Sequence, residues 1–315
     1  MITPFDTALY LEAANSPAFI LPENERRPRP KPRASGLHDC ARKQAYYMAN
    51  VPATNFPALD AVVTQELGRL SESYSKAVIS QIKSPLVGEG WDGLTIRDGA
   101  GSLPDDYFVT GHNDGEVHRR RRVETPGGGN HNEYDDRLSD GLRWGWEHKL
   151  YGAYSYKEVI FAPDIITGAS GLVSQGLLYG DALGWDAVVT TVLSADAALI
   201  RGEATKIRNW AETGKSADTR ERNARLLERY ATKTPKVDID YLDLRTMKAA
   251  FIPKMKRRAV ALTETQEAGI NPDLVAREKD PAKHPLCGYC DWKDRCVSAG
   301  QSSVIVIPES PIKEK

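Results

Sequence analysis

Apolar positions change spacing several times along the chain, and each change marks an element. From Thr64 to Lys83 they return every three or four residues, with Leu67, Leu70, Tyr74, Ala77 and Val78 on one side. That spacing predicts a helix whose apolar face is this stripe. Glycines interrupt Leu86–Arg97, which reads as a strand or hairpin. Tyr107–Val117 (YFVTGHNDGEV) and Leu142–Tyr151 (LRWGWEHKLY) read as a second and a third strand. Ile166–Leu183 returns to helical spacing, and Trp185–Leu193 (WDAVVTTVL) is a β-branched run suited to a buried strand. Helix, strand, strand, strand, helix, strand is the order of a mixed α/β core.

The flanks differ in character. Thr7–Asn15 reads as a short helix, and Leu21–Arg33 is rich in proline and arginine. The prolines deny that stretch both a helix and a central strand, so an extended linker is expected. A helix is expected from Ser35 through Tyr47, with Cys40 in its first turns. Between the second and third strands, RRRRVETPGGGNHNEYDDRLSDG reads as a flexible hairpin tip. Ala217–Lys233 and Asp243–Glu267 read as helices, and Asn271–Pro285 as a polar approach to a cysteine cluster. The expected divisions are residues 1–34 (helix and linker), 35–63 (a segment carrying Cys40), 64–195 (the core), 196–296 (a helical region ending in the cysteines) and 297–315 (a tail).

Composition bounds the rest. Of 315 residues, 41% are hydrophobic, enough for a sizeable core. No run approaches the ~18 apolar residues of a membrane span, and the first residues lack the order of a secretory signal. A cytoplasmic protein without membrane contact is expected. Lys and Arg total 42 against 43 acidic residues, a net charge of −1. Alone that argues against nucleic acid, but the sum hides basic runs at Arg26–Arg33, His118–Arg122 and Lys254–Arg258. Arg42 and Lys43 add to the first of them. Arg119, Arg120, Arg121 and Arg122 follow Asp114 closely, and on a hairpin they can reach a phosphate backbone.

The candidate chemistry lies in Trp146-Glu147-His148-Lys149. On a strand, Glu147 and Lys149 project together while Leu142, Trp144 and Trp146 turn to the other face. Asp114, in Gly111-His-Asn-Asp114, sits at the end of the preceding strand, and neighbouring strands lie ~4.8 Å apart. Two carboxylates at one point repel, and Mg²⁺ or Mn²⁺ resolves the repulsion. Such an ion activates water and neutralises charge on a phosphate under attack. Asp135, Asp136 and Asp140 are alternatives to Asp114 within the insertion.

Asp114 followed by Glu147-x-Lys149 on the second and third strands of a helix-flanked sheet resembles the PD-(D/E)XK nuclease superfamily, whose core is restriction-endonuclease-like. Gln175-Gly-Leu-Leu-Tyr179 on the following helix matches the Gln-x3-Tyr spacing of its RecB-like branch. The resemblance implies that Gln175 and Tyr179 orient the DNA strand. Gly68-Arg-Leu-Ser-Glu72 stands where the family has Gly-x3-His, so Glu72 replaces the histidine as third metal ligand, with Glu66 a weaker alternative. Asp114, Glu147, Glu72 and the main-chain carbonyl of His148 are then the ligand set, and Lys149 positions the attacking water. The long charged insertion after Asp114 departs from the family's short turn.

Cys287-Gly-Tyr-Cys290-Asp-Trp-Lys-Asp-Arg-Cys296 has the spacing of a metal site with one place unfilled, and Cys40 is the remaining cysteine. Ser35-Gly-Leu-His-Asp-Cys40-Ala-Arg42-Lys43-Gln-Ala-Tyr46 and this triplet resemble the iron–sulfur nucleases of the AddB-type and CRISPR-adaptation exonuclease families. That resemblance implies a [4Fe–4S] cluster on Cys40, Cys287, Cys290 and Cys296, joining helical N- and C-terminal segments; zinc on the same thiols is the alternative. It implies a bacterial or phage-encoded exonuclease acting on single strands or duplex ends in recombination or repair, with a helicase or recombination partner. An endonuclease or nickase, and a non-catalytic DNA-binding subunit, are the competing readings.

Overall fold

The computed structural model describes residues 30–52, 54, 59–81, 84–98, 103–162, 164–231, 237–278, 287, 290–300 and 305–310. The expected helix at Thr7–Asn15 and most of the Leu21–Arg33 linker lie outside these residues.

The strands are β1 (Gly93–Arg97), β2 (Gly115–Glu124), β3 (Asn130–Asp135), β4 (Trp144–Tyr151), β5 (Ala187–Ser194) and β6 (Val237–Asp243). They form one mixed sheet in the order β1-β2-β4-β5-β6, with β3 paired to β2 beyond the end of β4. The helices are α1 (Ala41–Met48), α2 (Leu59–Ile79), α3 (Ala153–Phe161), α4 (Ile165–Gly168), α5 (Ser170–Leu183), α6 (Ala197–Thr213), α7 (Ala217–Ala231), α8 (Leu244–Glu267) and α9 (Lys293–Ser298). β4 and β5 run parallel, Glu147 opposite Thr190, while the other pairs are antiparallel. A parallel pair needs a crossover, which α3, α4 and α5 supply. The mixed α/β architecture is the one the sequence predicts, and no helix among the described residues is long and apolar enough to cross a membrane.

Register assigns the two faces. Trp146 is fully buried against Ile79, Leu94, Val117 and Leu138 on the α2 side. Glu147 and Lys149 therefore point to the opposite face, where Gly176 of α5 packs on Val188. Trp185 locks this arrangement. Its ring lies where a side chain at Gly145 would be, and its indole nitrogen donates to Glu116 Oε1 at 2.9 Å.

Several expectations are corrected. The stripe on α2 faces outward, with Leu67 46%, Leu70 69%, Tyr74 66% and Val78 42% exposed. The small residues Gly68, Ser71 and Ser75 face the sheet instead: Gly68 comes near Leu150, and Ser71 reaches His148. Small side chains let a helix axis approach a sheet more closely than leucines would. The helix expected from Ser35 is a short 3-10 turn, Ala34–Gly36, followed by α1, and Cys40 is the residue that precedes α1. The flexible tip is an ordered hairpin, because Arg119 and Arg121 stand opposite Asp135 and Glu133 across β2 and β3. Opposite charges directly across a ladder stabilise the pairing. The expected helix at Ile166–Leu183 is broken at Ala169, β6 and α3 have no counterpart in the sequence reading, and α6 falls within the region 196–296 expected to be helical.

Candidate active site

Asp114 lies in the loop entering β2 rather than within a strand. The start of that loop is bound on both sides, Thr110 donating its N–H to the Pro32 carbonyl at 2.8 Å and accepting from Ala34 at 2.8 Å. Asp114 Oδ2 then accepts the main-chain N–H of His148 at 2.7 Å and lies 3.7 Å from Lys149 Nζ. The loop aspartate is thereby fixed beside β4, where the sequence places it through Glu147-x-Lys149.

Glu147 is 0% exposed, and neither of its carboxylate oxygens has a hydrogen-bond partner among the described residues. Burial pushes its pKa well above the ordinary carboxylate range; the charge of Asp114 adds to this and that of Lys149 opposes it. Burial pulls Lys149 down, but the charges of Asp114 and Glu147 outweigh it and leave the ammonium above its ordinary value. Tyr179 is also raised, by burial and then by Glu147 and Asp114, which places its hydroxyl within their field. Gln175, one turn earlier on α5, is buried with its side-chain carbonyl unpartnered among the described residues. Asn113, beside Asp114 in the chain, has both amide atoms buried and unpartnered among the described residues, a feature absent from the sequence reading. Its position next to the catalytic-type aspartate was the available signal.

A buried carboxylate without donors is costly unless it is protonated or meets a cation. The orphaned oxygens of Glu147 beside Asp114 therefore fit a hard divalent ion. The side chain of His148 turns to the other face, where Nε2 meets Ser71 Oγ at 2.8 Å. Burial lowers its pKa to about 4, so this partner is an uncharged imidazole at neutral pH.

Glu72 is engaged elsewhere. Lys76 binds it at 2.9 Å and also binds Asp98 at 2.7 Å, although the charge of Glu72 is still felt at Glu147. Among the described residues no three His, Cys, Asp or Glu side chains are gathered at ion-holding distance, so the three-carboxylate set is not assembled. The side chain of Glu66 is outside the described residues. The alternatives to Asp114 are occupied: Asp135 pairs with Arg119, Asp136 with Arg143 at 2.8 Å, and Asp140 accepts from Trp144 Nε1 at 3.2 Å.

Cys40 and the C-terminal cysteines belong to one junction. Arg42 is 0% exposed and donates to the carbonyls of Val275 at 2.6 Å and Gly300 at 2.9 Å, with Cys296 Sγ 4.0 Å away. Tyr46 OH donates to Asp273, which Arg295 grips with two bonds, and Trp292 Nε1 donates to the Val51 carbonyl. Glu278 accepts from the Ala41 N–H that opens α1 and from the fully buried Arg258. All four cysteines are half-buried, and Cys40 contributes to the field at Cys290, whose pKa is raised mainly by burial. Thiolates are the donors an iron–sulfur or zinc centre takes, but no three of these cysteines are gathered at ion-holding distance among the described residues.

The same contacts remove some expected nucleic-acid ligands. Arg42 and Arg258 are fully buried in the junction, bonded to main-chain carbonyls and, for Arg258, to Glu278, and so cannot meet a phosphate. Lys43 pairs with Asp39 at 2.9 Å, and Lys256 with Asp106 at 3.2 Å. No family model, no curated protein and no solved structure matches the chain.

Proposed function

We propose that the protein is a metal-dependent DNA nuclease of the PD-(D/E)XK, RecB-like type. The observation that carries this reading is the fully buried Glu147 carboxylate, without a hydrogen-bond partner among the described residues, set beside Asp114 and sharing a strand face with Lys149. The order α2-β1-β2-β4-α5-β5, with β4 and β5 parallel, supports a restriction-endonuclease-like core.

Asp114 and Glu147 would hold Mg²⁺ or Mn²⁺ together with the His148 carbonyl, and Glu72 could join only by leaving Lys76. The ion would supply acidification of water and neutralisation of charge on the phosphate. Lys149, kept cationic by the two carboxylates, orients the attacking water and offers its charge to the phosphoryl oxygens. Tyr179 keeps its proton, so its hydroxyl can donate to a phosphate oxygen, while Gln175 lines the same helix face. Cys40, Cys287, Cys290 and Cys296 would hold a structural [4Fe–4S] cluster, stapling α1 to the α9 segment. Exonuclease action on DNA ends or single strands is the favoured mode, in recombination or repair.

End-labelled DNA incubated with Mn²⁺ or Mg²⁺ tests the reading. Wild type cuts; Lys149→Ala binds but loses ~10²–10³ in rate, the usual scale for losing one transition-state charge donor. Full cleavage by Lys149→Ala would remove this site assignment. Anaerobic purification tests the cluster: iron with acid-labile sulfide supports it, and colourless protein with stoichiometric zinc sinks it.

A further inference from the structure

The four consecutive arginines of β2 alternate between the two faces of the hairpin. Arg119 is committed to Asp135 and lies 4.9 Å from the centre of the Trp91 ring. Arg121 pairs with Glu133 at 2.6 Å and lies 5.2 Å from the same ring. These two hold the hairpin together. Arg120 and Arg122 face the other way, opposite Tyr134 and Asn132, and neither has an ion-pair partner among the described residues. With Asp92, Asn130, His131 and Asn132 they line a cavity of about 390 Å³. Asp92 Oδ2 accepts the main-chain N–H of Arg122 at 2.6 Å, so one oxygen of that carboxylate is spent on fixing the strand.

Two free guanidiniums and two asparagine amides offer the donors that a phosphodiester accepts. The cavity also lies on the side of the sheet that carries the site. Glu116 stands opposite Gly145, on the face of Glu147 and Lys149, and Arg120 and Arg122 share its parity along β2. Arg120 is six residues past Asp114, about 20 Å along an extended strand. At ~3.4 Å per stacked nucleotide that is a span of about six nucleotides.

Building on the nuclease reading, we propose that this cavity is a phosphate-binding subsite that grips a DNA strand about six nucleotides from the bond being cut. Its charge is separated from the catalytic Lys149, so it sets the grip on long strands rather than the chemistry.

Fluorescence anisotropy in EDTA, with labelled single strands of about four and about twelve nucleotides, tests this. Wild type binds the longer strand the more tightly. Arg120→Ala/Arg122→Ala loses that advantage, weakening on the longer strand by about tenfold, with a salt slope shallower by about 1.4 for two lost phosphate contacts. Arg120→Lys/Arg122→Lys keeps most of the affinity. If the alanine pair does not fold, Arg120→Gln/Arg122→Gln gives the same readout with the aliphatic stems retained. A folded alanine or glutamine pair with wild-type affinity and slope on the longer strand overturns the subsite. In that event cleavage by the wild type would leave the nuclease reading standing, whereas wild type that cuts no DNA in Mn²⁺ overturns that reading itself.

Discussion

A methyl group on Gly111 would overlap the hydroxyl oxygen of Tyr179. The loop that carries Asp114 is therefore fitted against α5 at one atom of one side chain. Gly111→Ala is expected to cost about 1–3 kcal/mol, the usual range for overpacking. Adding Tyr179→Phe removes the obstructing oxygen and should recover part of that loss. Urea midpoints of the single and double variants check the coupling, and simple additivity would show that the contact does not matter.

Glu147 makes the metal-free protein less stable than it could be. Its folded pKa lies above the ordinary carboxylate range, so the unfolded chain ionises first as pH rises. Wild type then loses stability as pH climbs above about 4.3, and Glu147→Gln does not. In EDTA, Glu147→Gln should melt higher than wild type at neutral pH, with the gap closing towards pH 4 or so. Mn²⁺ should raise the melting temperature of wild type alone. A variant that melts lower at neutral pH would mean that the carboxylate has a partner.

The inverted face of α2 gives a contrast within one helix. Leu70→Ser and Tyr74→Ser change exposed positions and should shift stability by no more than about 0.5 kcal/mol. Ser75→Leu inserts bulk at a position only 3% exposed and should cost about 1–3 kcal/mol. Chemical denaturation of the three variants decides it, and the reverse ranking would place the leucine stripe against the sheet.

Asp273 links the two ends of the junction. The bond from Arg295 holds its carboxyl below the ordinary range; burial opposes this and the Tyr46 hydroxyl assists it. Its stabilising contribution is present above the ordinary carboxylate value and fades as pH falls through the depressed one. Asp273→Asn should therefore be less stable than wild type at neutral pH, with the difference shrinking below about pH 4. A difference that stays constant from neutral to strongly acidic pH would show that the charge is not involved.

The catalytic-type residues were legible because period two fixes them. Trp146 and Glu147 had to face opposite ways on any strand, and the structure keeps them so. Asp114 was legible as a residue but not as a loop position, since its place depends on long-range bonds to Pro32 and Ala34 through Thr110. The orientation of α2 was misread because apolar spacing reports a face, not what covers it. The hairpin was misread because glycine and charge in sequence look like a loose tip, while Arg119 and Arg121 find their acids only across the ladder. β6 was missed in VDIDYLD although Val237, Ile239 and Tyr241 alternate with polar residues, because aspartate is depleted in strands and drew the reading away from that alternation.

The junction also dictates an order of events during synthesis. Arg42 bonds to Gly300 although 258 positions separate them, and the N–H that opens α1 waits for Glu278, 237 positions later. Residues 34–48 leave the ribosome early, yet their partners leave late. The sheet from β1 to β6 can assemble in the interval, since its strands lie between the two halves of the junction. At ~5–20 residues per second, the α1 segment spends many seconds waiting with Arg42 unpaired. A chain stalled before Glu278 would hold the complete sheet and α8, on which α1 packs, but would lack the partners of Arg42 and of the Ala41 N–H, which makes late truncations prone to aggregate at that unfinished junction.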